Sequence, residues 1–402
     1  MKGRDIIIVG QQAWDVEIGS NCRNIALEFS KHNRVLYVNS ALDRITKIRY
    51  TKDPKVKKRL DVIHGKQSGL EQVSENLWVY YPDRIIESIN WLRVHWLFRV
   101  LNRRNNVRFA SSIQRAISQL ELKDFILFND SDMFRSFYLK DLLNPSITLY
   151  YSRDNMMATD YYKRHGKHLE PEIMRKSDLC VANSVYLQQY CKNFNERSYY
   201  VGQGCDLELF EKPAPSSVPA GLQNVPGPII GYVGALTAAR LDIALLEYLA
   251  NNHPDSSFVL VGPEDREFQK SKLHYLRNVF FLGAKPVKDL PAYIQAFNIC
   301  INPQLLNDLT IGNYPRKIDE YLAMGKPVVA TRTDTMEAFS NYTYLAANKE
   351  EFSDKIKIAL LDNNFETQLK RKAFAFSHTW VNSVNLISEG IQEVESYKFS
   401  EV

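Results

Sequence analysis

What most constrains the fold of this chain is a rhythm. Short apolar runs, each stopping at Gly, Asn, Asp or Pro, alternate with helix-like stretches along its 402 residues. The runs are Asp5–Gly10, Arg34–Asn39, Leu77–Pro82, Asp124–Asp130, Ile147–Asp154, Leu179–Ser184 and Ser198–Gly204 in the first half. In the second they are Pro228–Gly234, Ser257–Pro263, Val279–Ala284, Ile299–Pro303, Pro327–Arg332 and Tyr342–Ala346. Continuous apolar strands separated by helices indicate parallel sheets covered on both faces. The two series are divided by Glu211–Pro228, which holds five prolines. The chain is therefore expected to form two doubly wound, Rossmann-like α/β domains facing across a cleft. Their expected bounds are 1–212 for an acceptor-binding domain, 213–228 for a linker, and 229–380 for a donor-binding domain. A helix over 381–402 is expected to cross back onto the first domain. In such sheets ligands bind beyond the carboxyl ends of the strands, so the residues that end each strand are the candidates.

The most informative segment runs from Asn302 to Thr331. A buried strand empties into a polar loop, a helix follows with Pro315 in its first turn, Gly325 ends it, and Pro327–Thr331 is the next strand. The start of that helix, with its unpaired amides and partial positive charge, suits a diphosphate. Lys317 lies in the first turn, within reach of the same phosphates. Glu320 is one turn on, where a carboxylate can accept from both hydroxyls of a ribose. The alternatives are a solvated lysine and a surface ion pair of Glu320 with Lys317 or Arg316.

The pattern Pro315-x-Lys317-x-x-Glu320-Tyr-Leu-Ala-x-Gly325-Lys-Pro-Val-Val resembles the donor-binding signature of GT-B glycosyltransferases. The resemblance is to the bacterial capsule, exopolysaccharide and teichuronic-acid type, the family 4-like "group 1" family. Gly231-Tyr-Val-Gly234, Phe258-Val-Leu-Val-Gly-Pro263, Phe281-Leu-Gly283 and Gly204-x-Asp206 agree in order, and the match covers roughly 147–380. The resemblance implies that the chain moves a sugar from a nucleoside diphosphate sugar to a glycan or lipid-linked acceptor in cell-surface polysaccharide synthesis. It implies that Glu320 holds the ribose and Lys317 the diphosphate, with Arg240 as a second cation. Backbone after Gly262 and Gly283 would contact the base, and Gly234 and Tyr314 are further donor-binding candidates. Many retaining members carry a second glutamate where this chain has Gly312, so the sugar contacts are expected from Asn307, Asp308 or Thr310, and the stereochemical course stays open. Two other readings compete: a sugar-nucleotide epimerase on the same architecture, and a non-catalytic nucleotide-sugar-binding protein.

An inverting reaction needs a base for the acceptor hydroxyl. Asp154 and Asp130, both ending strands, are the candidates, the alternative being turn or N-cap aspartates. Gly10, Gln11 and Trp14, after the first strand, are expected to line the acceptor pocket. Asp130-Ser-Asp132 invites a metal reading, but the pair lies in the half away from the donor signature. No metal and no cofactor beyond the nucleotide sugar is expected.

Charge maps unevenly. Between Arg44 and Arg108 there are 15 Lys/Arg and 6 Asp/Glu, an excess of 9, so the net charge of +5 leaves −4 for the rest. Trp91-Leu-Arg-Val-His-Trp-Leu-Phe-Arg-Val-Leu-Asn-Arg-Arg104 mixes bulky apolar residues with arginines. Behind the basic Lys55–Arg59 it reads as an interfacial helix for an anionic membrane across 55–108, or else as a core helix with a solvated face. No nucleic-acid recognition motif accompanies it. The five cysteines are scattered without metal or redox spacing, and no run is long enough to span a bilayer. The expected location is cytoplasmic, peripheral on the inner face of the plasma membrane.

Overall fold

The computed structural model describes residues 1–16, 20–211, 218–219, 221–362 and 364–400. The chain divides into two compact units, one of Met1–Gly202 with Trp380–Val402 and one of Gln203–Thr379. The division precedes the expected 213–228 linker because Cys205, Leu207, Phe210 and Leu222 pack into the core of the second unit. Two of the five prolines that marked the linker, Pro213 and Pro215, lie outside the described residues.

The first unit holds an eight-stranded sheet: β1 (Asp5–Val9), β2 (Arg34–Val38), β3 (Leu70–Ser74), β4 (Leu77–Tyr80), β5 (Ile126–Asp130), β6 (Ile147–Ser152), β7 (Leu179–Ala182) and β8 (Ser198–Tyr200). Their order is β3-β4-β2-β1-β5-β6-β7-β8, and only the β3–β4 pairing is antiparallel. The six parallel strands from β1 to β7 other than β3 are almost wholly buried, as their unbroken apolar runs require. β3 has no such run and was not expected; its residues are half-buried or exposed at the sheet's edge. The helix Trp380–Ser400 lays Trp380, Val384, Ile387, Ile391 and Val394 into this unit's core, and Gly390 lets it approach Tyr199 and Leu179.

The second unit is a six-stranded, all-parallel sheet: β9 (Ile229–Val233), β10 (Ser257–Val261), β11 (Val279–Phe281), β12 (Ile299–Asn302), β13 (Val328–Thr331) and β14 (Tyr344–Ala346). The order β11-β10-β9-β12-β13-β14 makes β9 the strand from which the sheet winds both ways. In the first unit the corresponding place is β1, flanked by β2 and β5. These two switch points are where each sheet opens a crevice at its carboxyl end.

Candidate functional site

At the switch point of the second unit, β9 and β10 end in glycines that cannot be replaced. A Cβ on Gly262 would lie 1.9 Å from the Gly234 carbonyl oxygen, and one on Gly234 would lie 3.2 Å from the Lys317 ammonium. The close approach of these two strand ends leaves room for Lys317 above them. Its ammonium donates to the Tyr232 hydroxyl and sits 4.3 Å from the centre of that ring. The helix that carries it, Arg316–Ala323, has Pro315 at its N-cap and no side-chain cap at all. It is aligned from behind by Tyr321, fully buried, whose hydroxyl accepts from the Val233 amide at 2.8 Å. Gly325, at a φ of +74°, turns the chain out of the helix toward β13.

Glu320 stands one turn beyond Lys317. Its carboxylate is half-buried, and among the described residues it takes no hydrogen bond and no ion pair. Arg316 turns instead toward Asp206, 3.9 Å away, and Lys317 toward Tyr232, so the surface ion pair considered from the sequence is not formed. Burial raises the carboxyl above its ordinary value, and the charges of Arg316 and Lys317 offset only part of that. An uncompensated carboxylate beside a held ammonium and an uncapped helix start is an arrangement that ligand hydroxyls and phosphates would complete.

The rest of the expected donor set divides. Asn307 and Thr310 shape the loop after β12 and do not offer their side chains to a ligand. The Asn307 carboxamide donates to the Ala239 carbonyl and accepts from the Leu309 and Thr310 amides. Thr310 is buried, and its hydroxyl donates to the Leu305 carbonyl at 2.5 Å. Tyr314 is a core residue, its hydroxyl 3.1 Å from His378 Nδ1, packed on Phe339. Polar residues in a loop of this length first satisfy the loop's own backbone, which their residue types alone do not reveal. Arg240 is exposed; its carbonyl accepts from the Leu305 amide at 2.9 Å, so it borders this loop while its side chain has no partner among the described residues. Gly283, at a φ of +67°, follows β11 with nothing within 4 Å of an added Cβ. Tyr232 and Tyr321, absent from the sequence candidates, hold the site together, although the first stood inside the Gly231–Gly234 motif and the second directly after Glu320 in the donor signature.

In the first unit, the ends of β1 and β5 meet at Gln11 and Asp130. Asp130 is fully buried, accepting from Arg153 Nε at 2.8 Å and from the Gln11 amide at 3.3 Å. So sealed, it presents no carboxylate surface to an acceptor hydroxyl in this structure. Arg153 also reaches Asp154, whose side chain is 43% exposed, at 3.0 Å; of the two candidate bases Asp154 alone is open to solvent. Asp132 is closed by Arg135 at 2.6 Å, so each carboxylate of the Asp-x-Asp pair is already bonded to a guanidinium. Gly10 is fixed by packing, since a Cβ there would overlap the Tyr37 ring. Trp14 packs edge-on against Tyr37 beneath Arg23. Gln11 does border a cavity of about 730 Å³, where its amide donates to Tyr162 and where Trp91, Phe134, Arg135 and Tyr161 form other walls. That volume suits a ligand of several rings.

The basic segment is not one continuous helix. Arg59 is buried against Asp15 and Lys58 is held by Glu71 and the Tyr81 ring, so part of the expected polybasic run is consumed internally. The helix His95–Leu120 begins four residues after Trp91. It buries Phe98, Asn102, Asn105, Asn106 and Phe109, and leaves Trp96 and Val100 at 68% and 60% exposure, with Trp91 at 66% just ahead of it. Arg93, Arg103 and Arg104 are exposed on the same stretch. No helix among the described residues is long and apolar enough to cross a membrane.

Residues 227–362 match the family model described as glycosyl transferases group 1. A Bacillus subtilis (strain 168) protein, TuaH, assigned by name to teichuronic acid biosynthesis as a glycosyltransferase, is 27% identical over 241 residues. The match covers 57% of this chain and 60% of that protein. Among solved structures, sucrose-phosphate synthase from Thermosynechococcus elongatus superposes with a TM-score of 0.65 at 14% identity, over 98% of this chain and 100% of that one. The Anabaena protein Alr3699/HepE, in complex with UDP, gives 0.63 at 16% identity over 97% and 100%. At these identities the structural likeness establishes the fold.

Proposed function

We propose that this chain, whose residues 227–362 match the group 1 glycosyl transferases and whose fold is GT-B, transfers a sugar from a nucleoside diphosphate sugar to a glycan or lipid-linked acceptor in cell-surface polysaccharide synthesis. The observation that carries this reading is Glu320: a half-buried carboxylate, one turn from a held lysine, left without a partner. In an isolated protein such a group costs stability, and a ribose with two hydroxyl donors would satisfy it. Lys317 and the uncapped helix start would hold the diphosphate and take up the charge that develops on it as the glycosidic bond breaks. The nucleotide sugar is a co-substrate, and these cationic groups supply the leaving-group stabilisation. Asp154 is the base if the reaction inverts. HepE is described in complex with UDP and with UDP-glucose, which makes uridine nucleotides the first to try.

The 730 Å³ cavity of the first unit is the proposed acceptor site. Trp91 both lines it and is exposed, as are Trp96, Val100 and three arginines on the stretch that follows. Aromatic and basic groups in that mixture suit the headgroup region of an anionic membrane and an acceptor anchored there. The test is a calorimetric screen of UDP-, GDP- and dTDP-sugars, followed by incubation of the best binder with membrane lipid extract and product analysis. Transfer of the sugar to an extractable lipid or glycan is expected. Absence of binding by every nucleotide would refute the donor assignment. Binding with slow hydrolysis and no acceptor product would refute the transferase reading.

A further inference from the structure

We infer that Asp319, His378 and Cys205 are positioning residues that key the donor helix to both segments by which the chain passes between its two units. The inference rests on the donor roles of Glu320 and Lys317. The chain leaves the first unit after Gly202 and returns to it at Trp380. Just inside those crossings, the Cys205 amide donates to the His378 carbonyl at 3.0 Å, so the outgoing and returning segments are bonded to each other. Asp319, with no exposed surface, accepts from both: from His378 Nδ1 at 2.6 Å and from the Cys205 thiol at 3.2 Å. The same Nδ1 lies 3.1 Å from the hydroxyl of Tyr314, in the loop that enters the helix. Burial pushes the Cys205 thiol well up, which keeps it the S–H donor this arrangement needs.

Asp319 is on the donor helix itself, directly before Glu320. Successive residues of an α-helix point about 100° apart, so a grip at Asp319 fixes the rotation that aims Glu320 and, on the far side, Lys317. A fully buried carboxylate is a poor choice for stability alone, since apolar replacements of such groups are often neutral or stabilising. What it supplies is direction: two donors from two separate segments define one orientation. A ligand that loads Glu320 and Lys317 and a shift of the connecting segments then act on the same helix, and each alters the other's free energy.

The experiment compares His378→Ala, His378→Asn, Cys205→Ala and Glu320→Gln with the wild type, using whichever of UDP, GDP and dTDP binds the wild type most tightly. Asn can place an amide N–H where Nδ1 stood. His378→Ala should weaken nucleotide binding about 10- to 100-fold, the cost of a misaimed binding group, and His378→Asn should restore most of it. Hydrogen exchange supplies a readout independent of activity. Nucleotide should slow exchange of the Cys205 amide in the wild type and in His378→Asn, but not in His378→Ala. Cys205→Ala, which removes one donor and little volume, should fall between. Thermal melts establish that each variant is folded. If Glu320→Gln weakens binding while a folded His378→Ala and Cys205→Ala bind normally, the positioning role is wrong and the donor site stands. If Glu320→Gln binds normally, the donor site itself is wrong. Weak binding by His378→Ala that Asn does not restore would reduce the cluster to packing.

Discussion

Replacing Glu320 by Gln separates binding from stability in a way that few other readings of the site allow. If the carboxylate accepts two ribose hydroxyls, the substitution exchanges two hydrogen bonds to a charged group for one or two to a neutral amide. Bonds to charged groups contribute about 1.5–3 kcal/mol each and neutral ones about 1 kcal/mol. The expected loss is about 3 kcal/mol, roughly 100-fold in donor affinity. Stability should move the other way. Burial raises the carboxyl above its ordinary 4.5, with Arg316 and Lys317 opposing, so the folded, empty protein holds its proton more tightly than the unfolded chain. The penalty of ionising it is absent below the unfolded value and complete above the folded one, hence present at neutral pH. Gln removes that penalty, and the empty variant should melt higher than the wild type. It should also lose the acid limb of donor binding, which in the wild type begins above pH 4.5. Calorimetry at several pH values and melts without ligand measure both. Donor affinity within about threefold of wild type, or a lower melting temperature in the empty variant, would refute the argument.

Gly262→Ala should cost about 3 kcal/mol and abolish nucleotide binding, because its Cβ would drive against the Gly234 carbonyl and part the strand ends beneath Lys317; denaturant titration and calorimetry read the two effects. Glu87, bonded to Arg44 and then to Arg108, is lowered to about 2. Its contribution is present above 4.5 and is lost as pH falls toward 2. Glu87→Gln should therefore be less stable at pH 7, by no more than about 1 kcal/mol for so exposed a pair, with the difference vanishing near pH 2. A difference that persists there would assign the effect to packing. Trp91→Ala with Trp96→Ala should weaken sedimentation with phosphatidylglycerol vesicles at least tenfold without changing nucleotide affinity. Unchanged sedimentation would remove the membrane surface from the proposal.

Much of the fold was legible because a strand buried on both faces must be apolar throughout, and a strand that ends at a crevice must turn sharply. Ile6–Val9 and Phe258–Val261 announce the first requirement, Gly234 and Gly262 the second. The edge strand Leu70–Ser74 was silent because an edge half exposed to water imposes neither. At the proposed donor site, the placing of Lys317 and Glu320 on one helix face was readable because helical spacing fixes which residues share a face. Asn307, Thr310 and Tyr314 misled because nothing local reveals whether a polar side chain serves a ligand or its own loop. Asp130 misled for a related reason: its place at a strand end was right, but Arg153, distant in sequence, had already claimed it.

By itself, then, the sequence determined the buried parallel strands of both sheets and the strand–loop–helix that presents Lys317 and Glu320, which follow from periodicity and spacing along short stretches. Only the tertiary structure decided which charges are spent and which are free. Asp130, Asp132 and Asp319 are closed by partners 23, 3 and 59 residues away, while Glu320 is closed by none among the described residues. Pairing energy depends on distance in space, and the chain brings its charges together only when it folds.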